Sequence, residues 1–236
     1  MTSQHEILIE RFVEALISGQ RPAARAVVDE CLSADAPAEM IVERLFWPAL
    51  DQIEKLFRHD QLAVLSHQLA TRLLRMLADQ MQMRLEQAEP NGRTILLVCG
   101  PNEPNELAAQ MAGDMLEAAG YAVCFAGGGV ANDEIIQAVG ELKPHALTLF
   151  SSVPGDLPEI RVLIDQMRDT GIADDVQIVV GGGVFNRADG LAEEIGADLW
   201  ANSPADLVEQ VNAQPERRMA ADQRTVGRRR RQGKAA

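Results

Sequence analysis

Cysteine is scarce in this sequence. Cys31, Cys99 and Cys124 are the only three in 236 residues, and none share a Cys-x-x-Cys spacing. That argues against a disulfide scaffold and a thiolate zinc site, and it fits a reducing cytoplasm, where we expect the chain to reside. No apolar run approaches about 18 residues, so no membrane-spanning helix is expected. The opening stretch Met1-Thr2-Ser3-Gln4-His5-Glu6 is polar and acidic and does not read as a secretory leader. No Gly-x-Gly-x-x-Gly follows the first strand signal, and no Gly-x4-Gly-Lys-Ser/Thr occurs, which removes the dinucleotide fingerprint and the P-loop. No loop gathers His, Cys and Asp for nucleophilic catalysis.

What is present begins with charge. There are 22 Lys and Arg against 35 Asp and Glu, a net charge of -13. From Glu216 onward the balance reverses: Arg217, Arg218, Arg224, Arg228, Arg229, Arg230, Arg231 and Lys234 outweigh Glu216 and Asp222. That end carries +6 and the rest −19. Nucleic acid is not an expected partner of the acidic body. The tail has almost no large apolar residues, so it reads as a disordered arm, either solubilising or electrostatic.

The first third of the chain reads as helices. Ile7, Leu8, Phe12, Ala15 and Leu16 recur at helical spacing over about 5–18. A second helix spans about 22–32. Asp35, Pro37 and Glu39 make a start signal for a third, which carries Ile41, Leu45, Leu50, Ile53, Leu56 and Phe57. Pro48 predicts a kink or a fresh turn within it. A fourth runs over about 61–87, with Leu62, Leu65, Leu69, Leu73, Met76, Leu77 and Met83. Short polar breaks join them, which predicts an antiparallel four-helix bundle over 1–88. Trp47 is expected in its core.

Beyond the linker Glu89-Pro90-Asn91-Gly92 the pattern changes. Apolar runs of strand length start near Thr94, Ala122, His145, Val176 and Asp198, and a helical stretch follows each, including one near 188–195. Five βα units predict an α/β domain over 93–213, a parallel, doubly wound sheet. The residues 214–236 form the basic tail. Ligands of such sheets bind beyond the carboxyl ends of the strands. The loops there read Gly100-Pro101-Asn102-Glu103-Pro104-Asn105, Gly127-Gly128-Gly129, Ser151-Ser152-Val153 and Gly181-Gly182-Gly183. Glycine lets backbone approach a ligand closely. Several such loops on one edge suggest a bulky, flat or extended ligand.

These loops, behind a helical cap, resemble the cobalamin-binding module of methionine synthase, corrinoid methyl carriers and light-sensing cobalamin regulators. The resemblance covers about Glu39 to Val211. It implies a flavodoxin-like domain holding cobalamin, a metal-binding corrinoid cofactor. The family's third loop carries Ser-x-Leu beside the cofactor's nucleotide tail, matched by Ser151-Ser152-Val153. Its fourth carries Gly-Gly, making room for the tail, matched by Gly181-Gly182. Gly127 and Gly128 follow the second strand on the same edge. The first family motif is Asp/Glu-x-His-x-x-Gly, whose His ligates cobalt. Here Glu103, Asn105 and Ala108 take the three positions. Asn is a poor substitute for an imidazole donor, so the resemblance implies no His ligation from this loop.

In the light-sensing regulators, a Trp, a Glu and a His of the cap cover the upper face of the cofactor. Phe57 matches the Trp position, and Ser66-His67-Gln68-Leu69-Ala70-Thr71 resembles the Glu/His stretch. His59 and His67 are candidates to face the ligand or the metal. Three functions follow from the resemblance. The first is a regulatory, sensing protein that holds a corrinoid without loop-His ligation and acts through a protein partner, with homo-oligomerisation open. The second is a methyl carrier of a methyltransferase system. The third is a degenerate module that binds another tetrapyrrole or serves as a partner scaffold.

Overall fold

A computed structural model describes residues 2–102 and 106–219. Four helical rods come first. They are α1 (Thr2–Ile17), α2 (Arg21–Ser33), a compound rod, and α5 (Val64–Gln82). The compound rod joins α3 (Ala38–Ile41) through a π-helical turn (Val42–Phe46) to α4 (Trp47–Arg58). Pro48 explains the turn. A proline inside a helix lacks its N–H and crowds the carbonyl four residues back. The chain instead widens just before it, and the Trp47 N–H donates to the Val42 carbonyl five residues earlier. So the helical backbone runs on through Pro48 without a break.

The rods pack around Phe12, Leu16, Phe46, Ile53, Leu74 and Met81, all at most 2% exposed, with Phe12 and Phe46 stacked at 5.6 Å. Each such side chain is worth about 2–3 kcal/mol of burial. His59 ends α4 and Asp60 turns with φ +55°, so the fourth helix begins at Val64, not near Gln61, and stops at Gln82, not near Gln87.

The α/β half alternates as expected. It runs β1 (Thr94–Cys99), α6 (Leu107–Ala118), β2 (Ala122–Gly127), α7 (Asn132–Leu142), β3 (Ala146–Phe150), α8 (Leu157–Asp169), β4 (Gln177–Gly181), α9 (Gly183–Asn186), α10 (Leu191–Ile195), β5 (Leu199–Ala201) and α11 (Pro204–Ala213). The expected helix near 188–195 is therefore two short pieces, parted by Gly190 at φ +78°. All strand pairs are parallel, in the order β2-β1-β3-β4-β5. This is the flavodoxin-like order, whose switch point lies between β1 and β3. On β1, Leu96 and Val98 face one apolar layer and Ile95, Leu97 and Cys99 the other, which is why the run is continuously apolar.

α6 joins the two halves. Its Leu107, Met111 and Ala118 extend the core of the helical rods, while Ala109, Ala112 and Leu116 pack on the sheet. One helix thus fixes the bundle over the carboxyl edge of β1.

The C-terminal segment departs from expectation at its start. Residues 214–219 are pinned below the sheet and are no part of a free arm. Gln177 Nε2 donates to the carbonyls of Gln214 (2.8 Å) and Arg217 (3.0 Å). The Met219 N–H donates to the buried Asp198 carboxylate at 2.6 Å, and the Arg217 guanidinium sits 5.1 Å from the Trp200 ring centre. A disorder reading from composition misses such polar anchors. The rest of the expected tail, 220–236, lies outside the described residues.

Candidate functional site

A cavity with about 530 Å³ of empty space lies where α4 faces the carboxyl edge of the sheet. The cap side is one helical stripe: Trp47, Leu50, Asp51, Glu54 and Arg58. The opposite side comprises Cys99, Phe150, Ser151, Ser152, Gly182, Gly183 and Asn186, with Glu106, Ala108 and Ala109 at the start of α6. A wider groove continues it outward, sharing Trp47, Asp51, Arg58, Gly183 and Asn186 and adding Lys55, His59 and Arg187. The walls are apolar at Trp47, Leu50 and Phe150, and the rim is polar.

The expected residues divide. Ala108, Ser151 and Gly182 line the cavity. Gly181 lies behind it: a Cβ there would stand 3.0 Å from the Phe150 ring. Gly182 has φ +101°, and a Cβ on it would overlap the Ser151 backbone. Gly182 is thus required by the close approach of β4 to β3, whatever ligand binds, while a side chain at 181 would need the Phe150 ring to give way. Gly127 and Gly128 form the turn out of β2, after a register slip between Leu97 and Val98, and contact Glu106 instead of lining the cavity. Val153 donates its N–H to Ser151 Oγ at 3.1 Å and is likewise set back. Glu103 and Asn105 lie outside the described residues.

The cap residues need correction. His67 is 5% exposed and lines neither space; its Nε2 lies 2.9 Å from Glu54 Oε1. Phe57 stacks on that ring at 4.0 Å instead of facing a ligand. The cavity is reached by Glu54, which the histidine holds. His59 lines the open groove, its Nδ1 2.8 Å from the Lys55 carbonyl. The two histidines sit on opposite sides of the break at Asp60, in separate settings, and no group of three His, Cys, Asp or Glu able to hold a metal occurs among the described residues. Trp47 packs against the bundle core but also lines the cavity, so it is a wall residue.

Sequence reasoning missed Asp51, Glu54 and Arg58. Their signal was available: 47, 51, 54 and 58 follow the 4-3-4 spacing of a single helix face. It also missed Asp156, which reads as a helix cap before α8. Asp156 is fully buried and makes no capping bond. Its Oδ1 accepts from the backbone N–H (3.1 Å) and side-chain Nδ2 (2.8 Å) of Asn102, and its Oδ2 accepts from Ser151 Oγ at 3.1 Å.

A helical cap facing a flavodoxin-like edge across a cavity defines a small-molecule binding module. Comparison gives the class. Residues 93–209 match the profile of the B12 binding domain, and residues 8–81 match a second B12 binding domain profile. The chain belongs to this cobalamin-binding family, and its cofactor is a corrinoid. It is 24% identical over 218 residues to a trimethylamine corrinoid protein of Methanosarcina barkeri, covering 90% of this chain and 98% of that one. A dimethylamine corrinoid protein of Methanosarcina mazei is 24% identical over 210 residues, covering 88% and 95%. The solved structure of the Methanosarcina barkeri monomethylamine corrinoid protein superposes with a TM-score of 0.77 at 16% identity, over 86% of this chain and 96% of that one.

The lining of the cavity suits such a cofactor in its chemistry. An apolar floor and ceiling with polar edges match a flat macrocycle fringed by amides. The cavity itself is narrow, so a corrinoid would also occupy the adjoining groove, which shares Trp47, Asp51, Arg58, Gly183 and Asn186 with it. Among the described residues the donor set offers no imidazole pointing into the cavity.

Proposed function

We propose that this chain is a corrinoid carrier: it holds its cofactor between α4 and the carboxyl edge of the sheet and presents it to a partner protein of a methyltransferase system. The observation that carries this reading is the stripe Trp47, Asp51, Glu54 and Arg58 facing Ser151, Gly182 and Ala108 across one cavity. End-to-end similarity to proteins named for trimethylamine and dimethylamine supports it. When bound, a corrinoid supplies a cobalt able to accept and release a methyl group. The protein's part is to bind, orient and shield. Trp47 and Phe150 cover apolar surface, while Arg58, Asn186 and Ser152 border the polar rim. Chemistry on donor and acceptor falls to partners, so the chain turns nothing over by itself. Residues 1–88 form the cap unit and 93–213 the cofactor unit in this proposal.

The test is reconstitution with hydroxocobalamin, reduction, and exposure to methyl donors with and without partner methyltransferases. The expected result is corrinoid absorbance that travels with the protein through gel filtration and a methylated spectrum only when a partner is present. A colourless protein overturns the reading. One observation favours the regulatory alternative: Asn105 stands where the resemblance places the cobalt-ligating His. A loaded protein that accepts no methyl group, but changes hydrodynamic radius on illumination or change of upper ligand, would make the regulator the better reading.

A further inference from the structure

Two carboxylates stand at the two ends of the first loop. Asp156, fully buried, takes both the backbone and side-chain N–H groups of Asn102. Glu106, at the start of α6, takes the Gly128 N–H at 2.6 Å. The first ties the exit of β1 to the exit of β3. The second ties the start of α6 to the exit of β2. The exits of β1 and β3 are the loops that meet at the switch point of the sheet, where ligands of this fold bind.

Asp156 lies behind Ser151, which lines the cavity. The single Ser151 hydroxyl proton has two acceptors at 3.1 Å, Asp156 Oδ2 and the Val153 carbonyl, and the oxygen itself receives the Val153 N–H at 3.1 Å. The hydroxyl is thus oriented by the protein. Gly100 allows this: a Cβ there would overlap the Asp156 carboxylate. A side chain at position 100 and an acid at position 156 are mutually exclusive. Charge-assisted bonds to a buried carboxylate are the strong kind, and a group deprived of such a partner inside a protein is costly.

We propose that Asp156 is a positioning residue for the cofactor: it acts through Asn102 and Ser151 to fix the edge of the cavity against which the corrinoid lies. This goes beyond the carrier reading but rests on its cofactor. Asp156 touches no ligand. It sets where the β1 exit stands relative to β3, and Glu106 sets the other end of the same loop. An amide at 156 keeps an oxygen for both Asn102 donors but turns a donor toward Ser151, so the charge assistance and the present orientation of the Ser151 hydroxyl are lost.

The experiment uses the full chain with hydroxocobalamin as probe, comparing wild type, Asp156→Asn, Asn102→Ala and the exchanged pair Asn102→Asp with Asp156→Asn. Hydrogen exchange of the cofactor-free protein reports on the peptides around Gly100–Asn102 and Ser151–Val153. Absorbance titration reports affinity, and the visible spectrum reports the cobalt environment. Asp156→Asn is expected to speed exchange at both exits, weaken binding at least tenfold and shift the visible bands. Asn102→Ala, which keeps the backbone bond, should do the same more weakly. The exchanged pair should recover part of the affinity. Faster exchange with unchanged affinity and spectrum would overturn the proposal, leaving Asp156 a purely structural residue. Unchanged exchange would overturn the link between the exits. A wild type that binds no corrinoid would overturn both the positioning role and the carrier reading, while the exchange data still decide the link separately.

Discussion

His67 Nε2 and Glu54 Oε1 lie 2.9 Å apart, so a buried histidine holds a carboxylate at the wall of the cavity. Removing the ring takes away this bond and the Phe57 stack, and leaves a hole in a closed site. His67→Ala is expected to cost about 2–4 kcal/mol of stability, read by urea denaturation. Glu54→Gln should leave stability within about 1 kcal/mol and change cobalamin affinity instead.

Only two tryptophans exist, Trp47 and Trp200, and only Trp47 lines the cavity. In a Trp200→Phe background, Trp47 becomes a private reporter. Cobalamin titration should quench its emission saturably. Trp47→Ala should weaken binding about tenfold or more, in line with an aromatic wall residue worth about 1–3 kcal/mol.

Gly182→Ala should damage folding as well as binding. The φ of +101° disfavours any side chain, and the new Cβ meets the Ser151 backbone. A loss of about 2–3 kcal/mol is expected, seen as a lower urea midpoint in the cofactor-free protein.

Asp114, on α6, has its pKa raised to about 7 by burial first and then by Glu117 and Asp79. A carboxyl that holds its proton more tightly when folded contributes stability that is lost as pH rises from about 4 to about 7. Asp114 sits on the helix that joins cap to sheet. Asp114→Asn should therefore raise the melting temperature near pH 7.5 and flatten the pH dependence across that window, checked by thermal melts at several pH values.

Truncation distinguishes anchored from dispensable C-terminal residues. Ending the chain at Met219 should leave the melting temperature unchanged. Ending it at Ala213 removes the partners of Gln177, Asp198 and Trp200 and should cost about 1–3 kcal/mol.

The architecture was legible because strong local signals carry it. The apolar runs at Thr94, Ala122 and His145 placed β-strands to within a residue or two, and periodic leucines marked the rods. The edge of the sheet on which the site lies followed from topology alone. The identity of the cap wall did not. His67 drew notice through the resemblance of its stretch to a cap segment of the light-sensing regulators, but its contact is with Glu54, thirteen residues earlier and across a chain reversal. Asp156 sat in a cap-like context, and only the close approach of Gly100 turns it toward Asn102. The glycines of the fourth loop were read as room for the cofactor's tail, whereas the crowding in the structure comes from the Phe150 ring beside Gly181 and the Ser151 backbone beside Gly182. Contacts of this kind are decided in three dimensions, between segments whose spacing along the chain carries no period.

The strap formed by residues 214–219 has a directional consequence. It is anchored at Gln177, which opens β4, and at Asp198, just before β5, so the chain leaves the described body on the amino side of the sheet. The cavity opens on the carboxyl side. A partner that docks against residues 214–219 would therefore meet the underside of the molecule and leave the mouth of the cavity clear for a second visitor.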